Sequence, residues 1–161
     1  MPCEKCTQDP DFHRFRKFGR LGNETLFYTS PIETKDYDED GTKLANVLID
    51  ITEHTKDIPW GWVFDARGMG FHHYTDFHFN LGILQHLTAD QNIGTIWVLY
   101  PNIWIRGAIS CLQQISRSHI LHKIQFLEGS NLEVYDTMTH AGLDPKSAIW
   151  LIERYDQSIK I

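Results

Sequence analysis

Four short segments of the chain have the apolar pattern of β-strands. "WGWVFD" and "TIWVLY" are apolar at nearly every position, which is typical of parallel strands that are covered on both faces. "TLFYTS" and "KIQFL" are also rich in apolar residues, and a Gly22-Asn23 turn signal precedes the first of them. The sequence therefore predicts strands over residues 25–30, 60–65, 95–100 and 123–127.

Apolar residues spaced three and four positions apart predict amphipathic helices between and after these strands. Ser130 and Glu133 form a capping box that opens one helix, and Gly142 marks its end. Asp144 and Pro145 are an N-cap and a first-turn residue for the last helix. The predicted helices cover residues 44–51, 77–88, 102–116, 130–142 and 145–155.

Strands and helices alternate along most of the chain. This order predicts an α/β fold, a layered sandwich in which a small, mostly parallel sheet is flanked by helices through right-handed crossovers. The sequence contains no internal repeat and no low-complexity linker. We therefore predict a single domain over residues 20–161, preceded by an N-terminal segment of residues 1–19.

The charge balance narrows the possible functions. The net charge is -6, from 15 basic and 21 acidic side chains, whereas non-specific nucleic-acid binding needs a positive surface, so we expect no nucleic-acid partner. No apolar run approaches the length of about 18 residues that a membrane span needs. The N-terminus does not resemble a signal peptide, and three cysteines are few for a disulfide framework. We expect a cytoplasmic protein, either free or peripheral to membranes.

Three groups of residues resemble parts of metal sites but do not form a complete set of ligands. "DYDEDG" at 36–41 matches the first half of a calcium-binding loop, but Lys43 and Val47 stand where the loop needs an apolar residue and a glutamate. Cys3 and Cys6 form only half of a zinc site. A solvated helix face explains a group of histidines, His72, His73, His78 and His86. We expect no bound metal and no cofactor.

The sequence also lacks a nucleophile in a catalytic setting. No G-x-S-x-G or G-x-G-x-x-G motif is present, and Ser110 and Cys111 lie in the middle of a predicted helix. Asp65 and Arg67 follow a strand and are candidates for an acid and an anion clamp, but we favour a surface ion pair at a turn. We therefore expect no enzymatic activity.

The helix predicted over 102–116 carries the clearest binding signal. Such a wide apolar stripe is typical of a core helix, but Gly107 and Ala108 are small and leave room for an apolar ligand. Ile103 lies off the stripe. The residues of the stripe are Trp104, Ile105, Ala108, Ile109, Leu112 and Ile115.

These segments together resemble the CRAL-TRIO family of lipid-binding domains, over residues 18 to about 150. The matching features are a strand ending in Asp65-x-x-Gly68, a strand ending near Tyr100-Pro101, the long apolar helix, a strand starting Lys123-Ile124, and a short helix from Ser130. The resemblance implies a layered α/β sandwich with a hydrophobic slot. Such a slot binds or transfers a lipid or another apolar molecule without a metal or covalent chemistry. The implied ligand-binding residues are Phe64, Tyr100, Trp104, Ile105, Ala108, Ile109, Leu112, Lys123 and Phe126.

The chain departs from the CRAL-TRIO pattern in several places, and these differences favour a second possible function beside lipid binding. About twenty residues precede the first predicted strand, so we expect the usual N-terminal helical subdomain to be absent. The chain is therefore similar to a minimal, divergent branch that binds proteins such as small GTPases or their regulators. Ile120 replaces a family threonine, and we expect no phosphatidylinositol specificity. The alternative to lipid binding is a protein-interaction scaffold whose slot is filled by aromatic side chains, for which Trp97, Trp104 and Trp150 are candidates.

The segment "FHRFRKFGR" at 12–20 interleaves basic residues with three phenylalanines. This pattern predicts contact with a membrane surface or an acidic partner, because charge attraction and shallow aromatic insertion act together. The alternative is a first hairpin strand that packs on the domain.

Overall fold

The computed structural model describes residues 16–30, 51–68, 92–115 and 122–159, together with the single positions 8 and 49. Within these ranges the chain forms five strands and three helices, and residues 51–55 are also helical. The elements are β1 (Arg16–Leu21), β2 (Glu24–Thr29), β3 (Trp60–Asp65), β4 (Ile93–Leu99), α1 (Ile103–Ile115), β5 (Ile124–Leu127), α2 (Asn131–His140) and α3 (Pro145–Ile159).

The five strands form one sheet in which each strand lies next to the strand that follows it in the chain. β1 and β2 form an antiparallel hairpin, and β2, β3, β4 and β5 are parallel to one another. The predicted α/β class, with a mostly parallel sheet and helices, is therefore confirmed. The four predicted strands correspond to β2–β5, and their ends differ by no more than two residues.

β1 is not among the four strands predicted from the apolar pattern, because Arg16, Lys17 and Arg20 make it largely basic. For residues 16–20 it confirms the alternative interpretation, a first hairpin strand that packs on the domain. The hairpin turns at Gly22-Asn23, where Gly22 has a φ of 61° that such a two-residue turn requires. Phe18 stacks on Trp150 of α3, with ring centroids 5.5 Å apart.

The segment predicted to touch a membrane is thus partly built into the sheet. Residues 16–20 belong to β1, so this strand also begins before residue 20, where the predicted domain starts. Residues 12–15 lie outside the described residues. Lys17 and Arg20 are exposed, and their attraction to an acidic partner stays a prediction.

One face of the sheet, which we call the α2–α3 face, holds the larger core. Side chains alternate across a strand, so every second residue of β2–β5 points to this face. There they pack against α2, α3 and the turn between them. The buried members of this core are Leu26, Tyr28, Val63, Trp97, Leu99, Leu127, Val134, Met138, Leu143, Ala148 and Leu151.

The opposite face, which we call the α1 face, is covered by α1. Ile105 and Ile109 of α1 are each 9% exposed and pack against Ala66 and Val98. Three half-buried side chains of the sheet border this contact, Phe64, Ile124 and Phe126. The sheet is therefore the middle of three layers, as the predicted sandwich requires.

A close approach near the amino ends of the strands explains one of the strand glycines. The register between β3 and β4 shifts at Gly61, and the carboxylate of Glu24 in β2 accepts a 2.8 Å hydrogen bond from the backbone N–H of Thr95 in β4. A Cβ atom on Gly61 would lie 2.6 Å from a methyl carbon of Leu26 and 3.1 Å from the Cβ of Thr95. Only glycine leaves the space that this packing needs.

Both predicted helix starts after β5 are confirmed. The hydroxyl of Ser130 accepts a hydrogen bond from the N–H of Glu133, and the Glu133 carboxylate accepts one from the N–H of Ser130. The Asp144 carboxylate accepts a 3.0 Å hydrogen bond from the N–H of Ser147, which caps α3. α3 extends to Ile159, four residues beyond its predicted end.

Several predicted features lie outside the described residues. They include the helix over 77–88, most of the helix over 44–51, the acidic loop at 36–41, both cysteines of the half-site and the four clustered histidines. In the described ranges, no three His, Cys, Asp or Glu side chains are grouped in a way that would hold a metal ion. No helix in the described part of the chain has the length and apolar character needed to cross a bilayer.

Candidate functional site

The carboxyl ends of β3, β4 and β5 meet at one edge of the sheet, the position where α/β proteins commonly bind their ligands. Residues 65–68, 100–106 and 128–133 follow these strands, and we call the three segments together the carboxyl edge. They contain the Asp65–Arg67 pair considered above, and they also present two exposed apolar side chains, Ile103 and Leu132.

Asp65 is fully buried at the end of β3, and its carboxylate is satisfied by the protein itself. Its oxygens accept hydrogen bonds from the Tyr28 hydroxyl at 2.9 Å, the Arg67 backbone N–H at 3.1 Å, and Nε and Nη2 of Arg67 at 3.0 and 2.8 Å. The predicted ion pair at the turn is therefore confirmed, but its expected surface position was wrong, because Asp65 is fully buried and the Arg67 side chain is only 14% exposed. A carboxylate with four donors around it is not available as a catalytic base.

Arg67 connects the sheet to the C-terminal helix. Its Nη1 and Nη2 donate hydrogen bonds of 2.8 and 2.7 Å to the carbonyl oxygens of Ile152 and Leu151 in α3. Burial alone would lower the pKa of Arg67, but the hydrogen bonds and the charge of Asp65 outweigh it and raise the pKa above its ordinary value. The guanidinium is therefore permanently charged, and most of its N–H groups bind protein atoms rather than a ligand anion.

Two tyrosine rings enclose the same guanidinium. The Arg67 carbon Cζ lies 4.4 Å from the ring centroid of Tyr100 and 5.2 Å from that of Tyr155, distances at which a cation is attracted to an aromatic face. Burial raises the pKa of the Tyr100 hydroxyl, although the positive charge of Arg67 acts in the opposite direction. The hydroxyl is therefore protonated at neutral pH and can donate a hydrogen bond.

Tyr100 forms the turn from β4 into α1 in an unusual backbone conformation. Its φ is 50°, in the left-handed region that a bulky residue rarely adopts. Its N–H donates a 2.8 Å hydrogen bond to the carbonyl of Leu127, and its hydroxyl donates one of 2.6 Å to Oδ1 of Asn131. Tyr100 thus joins the loop after β4 to the loop after β5.

The start of α1 places Ile103 in solvent. The side chain of Asn102 accepts a 3.0 Å hydrogen bond from the N–H of Ile105, which caps the helix. This cap turns Ile105 toward the sheet and leaves Ile103, two residues earlier, on the outer side. The side chain of Ile103 is 79% exposed.

The loop after β5 presents Leu132 in a similar way. Gly129 has a φ of 106°, and a Cβ atom there would lie 1.9 Å from the Glu133 carboxylate, so only glycine fits beside the capping box. The box fixes the first turn of α2, on which Leu132 is 68% exposed.

Acidic side chains surround Leu132 at this edge. Glu128, Glu133 and Asp136 are all exposed, and Asp136 lies one helical turn from Leu132. Arg106 forms an ion pair with Glu128 and packs over the ring of Phe126, with its Cζ 4.8 Å from the ring centroid. Among the described residues, Glu133 and Asp136 therefore give the surface near Leu132 an excess of negative charge.

The structure brings together four of the residues that the resemblance assigned to a ligand slot. Phe64, Ile105, Ile109 and Phe126 belong to one apolar cluster on the α1 face. Ile105 and Ile109 pack directly on the sheet, so side chains fill this part of the predicted slot. The other helix residues assigned to the slot have side chains that lie outside the described part of the chain, Trp104, Ala108 and Leu112.

Tyr100 and Lys123 are placed elsewhere. Tyr100 packs against the core of the α2–α3 face at the carboxyl edge, whereas Lys123 is exposed directly before β5, at the opposite end of that strand. Two of the aromatic candidates for filling the slot also belong to the α2–α3 face, where Trp97 is buried and Trp150 packs against the same core. The side chains predicted to contact a single ligand are therefore divided between the two faces and the two ends of the sheet.

The two exposed apolar residues of the carboxyl edge, Ile103 and Leu132, were not among the predicted site residues. Ile103 had a detectable signal, since it lies off the apolar stripe of its helix. Leu132 had none, because a leucine in the first turn of a short helix looks like a core residue.

No model of a known protein family matches the chain, and no curated protein matches it significantly. The class that the fold and the edge define is thus an α/β domain with a sequentially ordered sheet and an acidic, partly apolar carboxyl edge.

Proposed function

We propose that the protein is a non-enzymatic binding module that holds a protein partner at its carboxyl edge. The observation that carries this proposal is the exposure of Ile103 and Leu132 in the first turns of α1 and α2, within the segments that follow the adjacent strands β4 and β5. The Tyr100–Asn131 hydrogen bond joins these segments, so the two apolar side chains have a fixed spacing. Apolar side chains held in this way are suitable anchors for an interface.

The polar groups of the edge support binding rather than catalysis. Asp65 and Arg67, the charged pair that most resembled a catalytic site in the sequence, bind each other, Tyr28 and two carbonyls of α3. A general base needs access to the proton that it removes, and Asp65 is fully buried.

The charge of the edge favours a basic partner. Glu133 and Asp136 flank Leu132, and the chain as a whole has a net charge of -6. An anionic lipid surface would be repelled here, whereas lysine and arginine side chains would be attracted. We therefore propose that the partner supplies a basic amphipathic helix whose apolar side covers Ile103 and Leu132.

Lipid binding in a CRAL-TRIO-like slot is the second candidate function. Phe64 and Phe126 favour it, because both remain half-buried on the α1 face. Ile105 and Ile109 oppose it, because they pack directly on the sheet where a slot would open. The lipid proposal requires α1 to move away from the sheet, whereas the protein-binding proposal requires no movement.

A displayed library of random peptides, with the whole chain as bait, tests the first proposal. We expect selected peptides to combine lysine or arginine with apolar residues three or four positions apart, and their binding to weaken as salt is raised. Leu132→Asp and Ile103→Asp should each lower the affinity at least about tenfold, equivalent to about 1.4 kcal/mol. Ile149→Asp is the matched control, because Ile149 is exposed on α3 outside the carboxyl edge.

Peptides that bind the wild type and Leu132→Asp equally well would contradict the proposal, as would a selection that enriches no peptide.

Native mass spectrometry of the purified protein tests the second candidate function, lipid binding. A stoichiometric lipid that copurifies supports the slot, and its loss on substitution of Phe64 would place it on the α1 face.

A further inference from the structure

A continuous series of contacts links helix α3 to the two loops of the carboxyl edge. It runs from the carbonyls of Leu151 and Ile152 to the guanidinium of Arg67, and from there to the ring of Tyr100. The Tyr100 hydroxyl then bonds to Asn131, the residue directly before Leu132. Each step is a direct contact, and Arg67 is 14% exposed at its side chain.

We infer that Arg67 makes helix α3 and the carboxyl edge one cooperative unit, so that the packing of α3 on the sheet regulates the binding surface. This inference rests on the proposed function for its biological meaning. The coupling itself does not depend on any partner. A change that lowers the local stability of α3 should also lower that of the carboxyl edge, and the reverse should hold.

The geometry of Tyr100 is the reason for expecting such coupling. A tyrosine with a φ of 50° is strained and keeps this conformation only where its surroundings hold it. Arg67 holds one side of the ring, and Asn131 and the Leu127 carbonyl hold its hydroxyl and its N–H. If Arg67 moves with α3, the turn before Ile103 can relax, and the spacing between Ile103 and Leu132 changes.

The position of the Arg67 side chain depends in turn on α3, which supplies two of its hydrogen-bond acceptors. Its planar guanidinium binds the Asp65 carboxylate and two successive helix carbonyls at the same time. A lysine keeps the charge but has neither the planar arrangement nor the number of N–H groups for these contacts. Arg67→Lys therefore separates the geometric role of the side chain from its charge.

Hydrogen exchange of the full chain, without any partner, tests the coupling. In Arg67→Lys we expect the amides of residues 151–159 to exchange faster together with those of residues 100, 102, 103 and 128–132, by at least about fivefold, the lower end of usual coupling between sites. Arg106→Lys is the matched control, because Arg106 lies at the same edge but contacts Phe126 and Glu128 instead of α3. It should leave residues 151–159 unchanged.

Asn131→Ala tests the same coupling from the other end and keeps the test informative if Arg67→Lys fails to fold. Coupling between two sites is reciprocal, so the loss of the exposed Tyr100–Asn131 bond should also speed exchange in residues 151–159. Faster exchange confined to α3 in Arg67→Lys, or confined to the edge in Asn131→Ala, would overturn the inference. Coupled exchange in a protein whose edge binds no peptide would instead contradict the proposed function alone.

Discussion

The hydroxyl of Tyr28 in β2 donates a 2.9 Å hydrogen bond to the carboxylate of Asp65 in β3, and both side chains are buried. The bond joins two parallel strands beneath α3 and satisfies one oxygen of a charge that has no access to water. Much of the stability of the carboxyl edge therefore depends on a single buried carboxylate and its donors.

Replacing Tyr28 with phenylalanine should destabilise the protein by about 1.5–3 kcal/mol, because a buried carboxylate loses a donor. Tyr100→Phe is the matched control. It removes a hydroxyl whose partner, Asn131, is uncharged and exposed, and it should cost about 1 kcal/mol, the usual value for a neutral hydrogen bond. Urea unfolding of the two variants measures both values, and equal losses would contradict this account of the buried bond.

Removing one partner of the buried Asp65–Arg67 ion pair should destabilise the protein more than removing the Tyr28 hydroxyl. Asp65→Asn leaves the charged Arg67 without its carboxylate and should cost about 3–5 kcal/mol. The double variant Asp65→Asn, Arg67→Met should be less destabilised than the sum of the two single variants, because it leaves no unpaired charge. Additive losses in this cycle would show that the two side chains do not interact.

Two glycine substitutions should have opposite effects on stability. Gly129→Ala introduces a Cβ atom 1.9 Å from the Glu133 carboxylate at a φ of 106°, and it should cost about 1–3 kcal/mol through strain and loss of the capping box. Gly107 lies inside α1, and apart from the backbone of its own helix no atom of the described residues lies within 4 Å of the added carbon. Gly107→Ala should therefore stabilise the protein by about 0.5–1 kcal/mol. Thermal melts of both variants check the two signs.

The cap of α3 should make stability depend on pH in acid. The hydrogen bonds from the side chain and backbone of Ser147 lower the pKa of Asp144 below its ordinary value. This depressed pKa stabilises the folded protein above about pH 4, the ordinary range of an aspartate, and the contribution is lost as the pH falls through the lowered pKa. Asp144→Asn keeps a capping oxygen but does not titrate. The difference in melting temperature between wild type and Asp144→Asn should therefore shrink in acid, and a difference that is constant with pH would contradict the assignment.

Much of the fold was predictable because its signals are local. The strands β2–β5 are apolar runs, α1 has a continuous apolar stripe, and the caps at Ser130 and Asp144 consist of residues close together in sequence. β1 was predicted only as the alternative to a membrane-contacting segment, because its basic residues hide the apolar alternation, and it takes its place through pairing with β2.

The candidate site was less predictable because its contacts are distant in sequence. Asp65 and Arg67 look like a surface pair when read alone, since the carbonyls that bury Arg67 come 84 and 85 residues later. Phe64, Ile105, Ile109 and Phe126 were assigned to a ligand slot through the family resemblance, and they lie in one apolar cluster on the α1 face, whereas the slot itself stays a prediction. The separation of Tyr100 and Lys123 depends on strand direction and register, which the residue pattern does not encode.

The sequential order of the strands has a consequence for how the protein is made. The sheet can grow strand by strand as the chain emerges from the ribosome, but α2 and α3, the described elements that cover the α2–α3 face, are complete only when residues 131–159 have been synthesised. Until then Leu26, Val63, Trp97 and Leu99 lack these two helices as packing partners, and we expect them to form a wide apolar surface. A chain that stops at residue 130 should therefore bind a hydrophobic dye strongly and be retained by chaperones, whereas the full chain should not. For this fold, synthesis of the last two helices is the step that ends the period of greatest risk of aggregation.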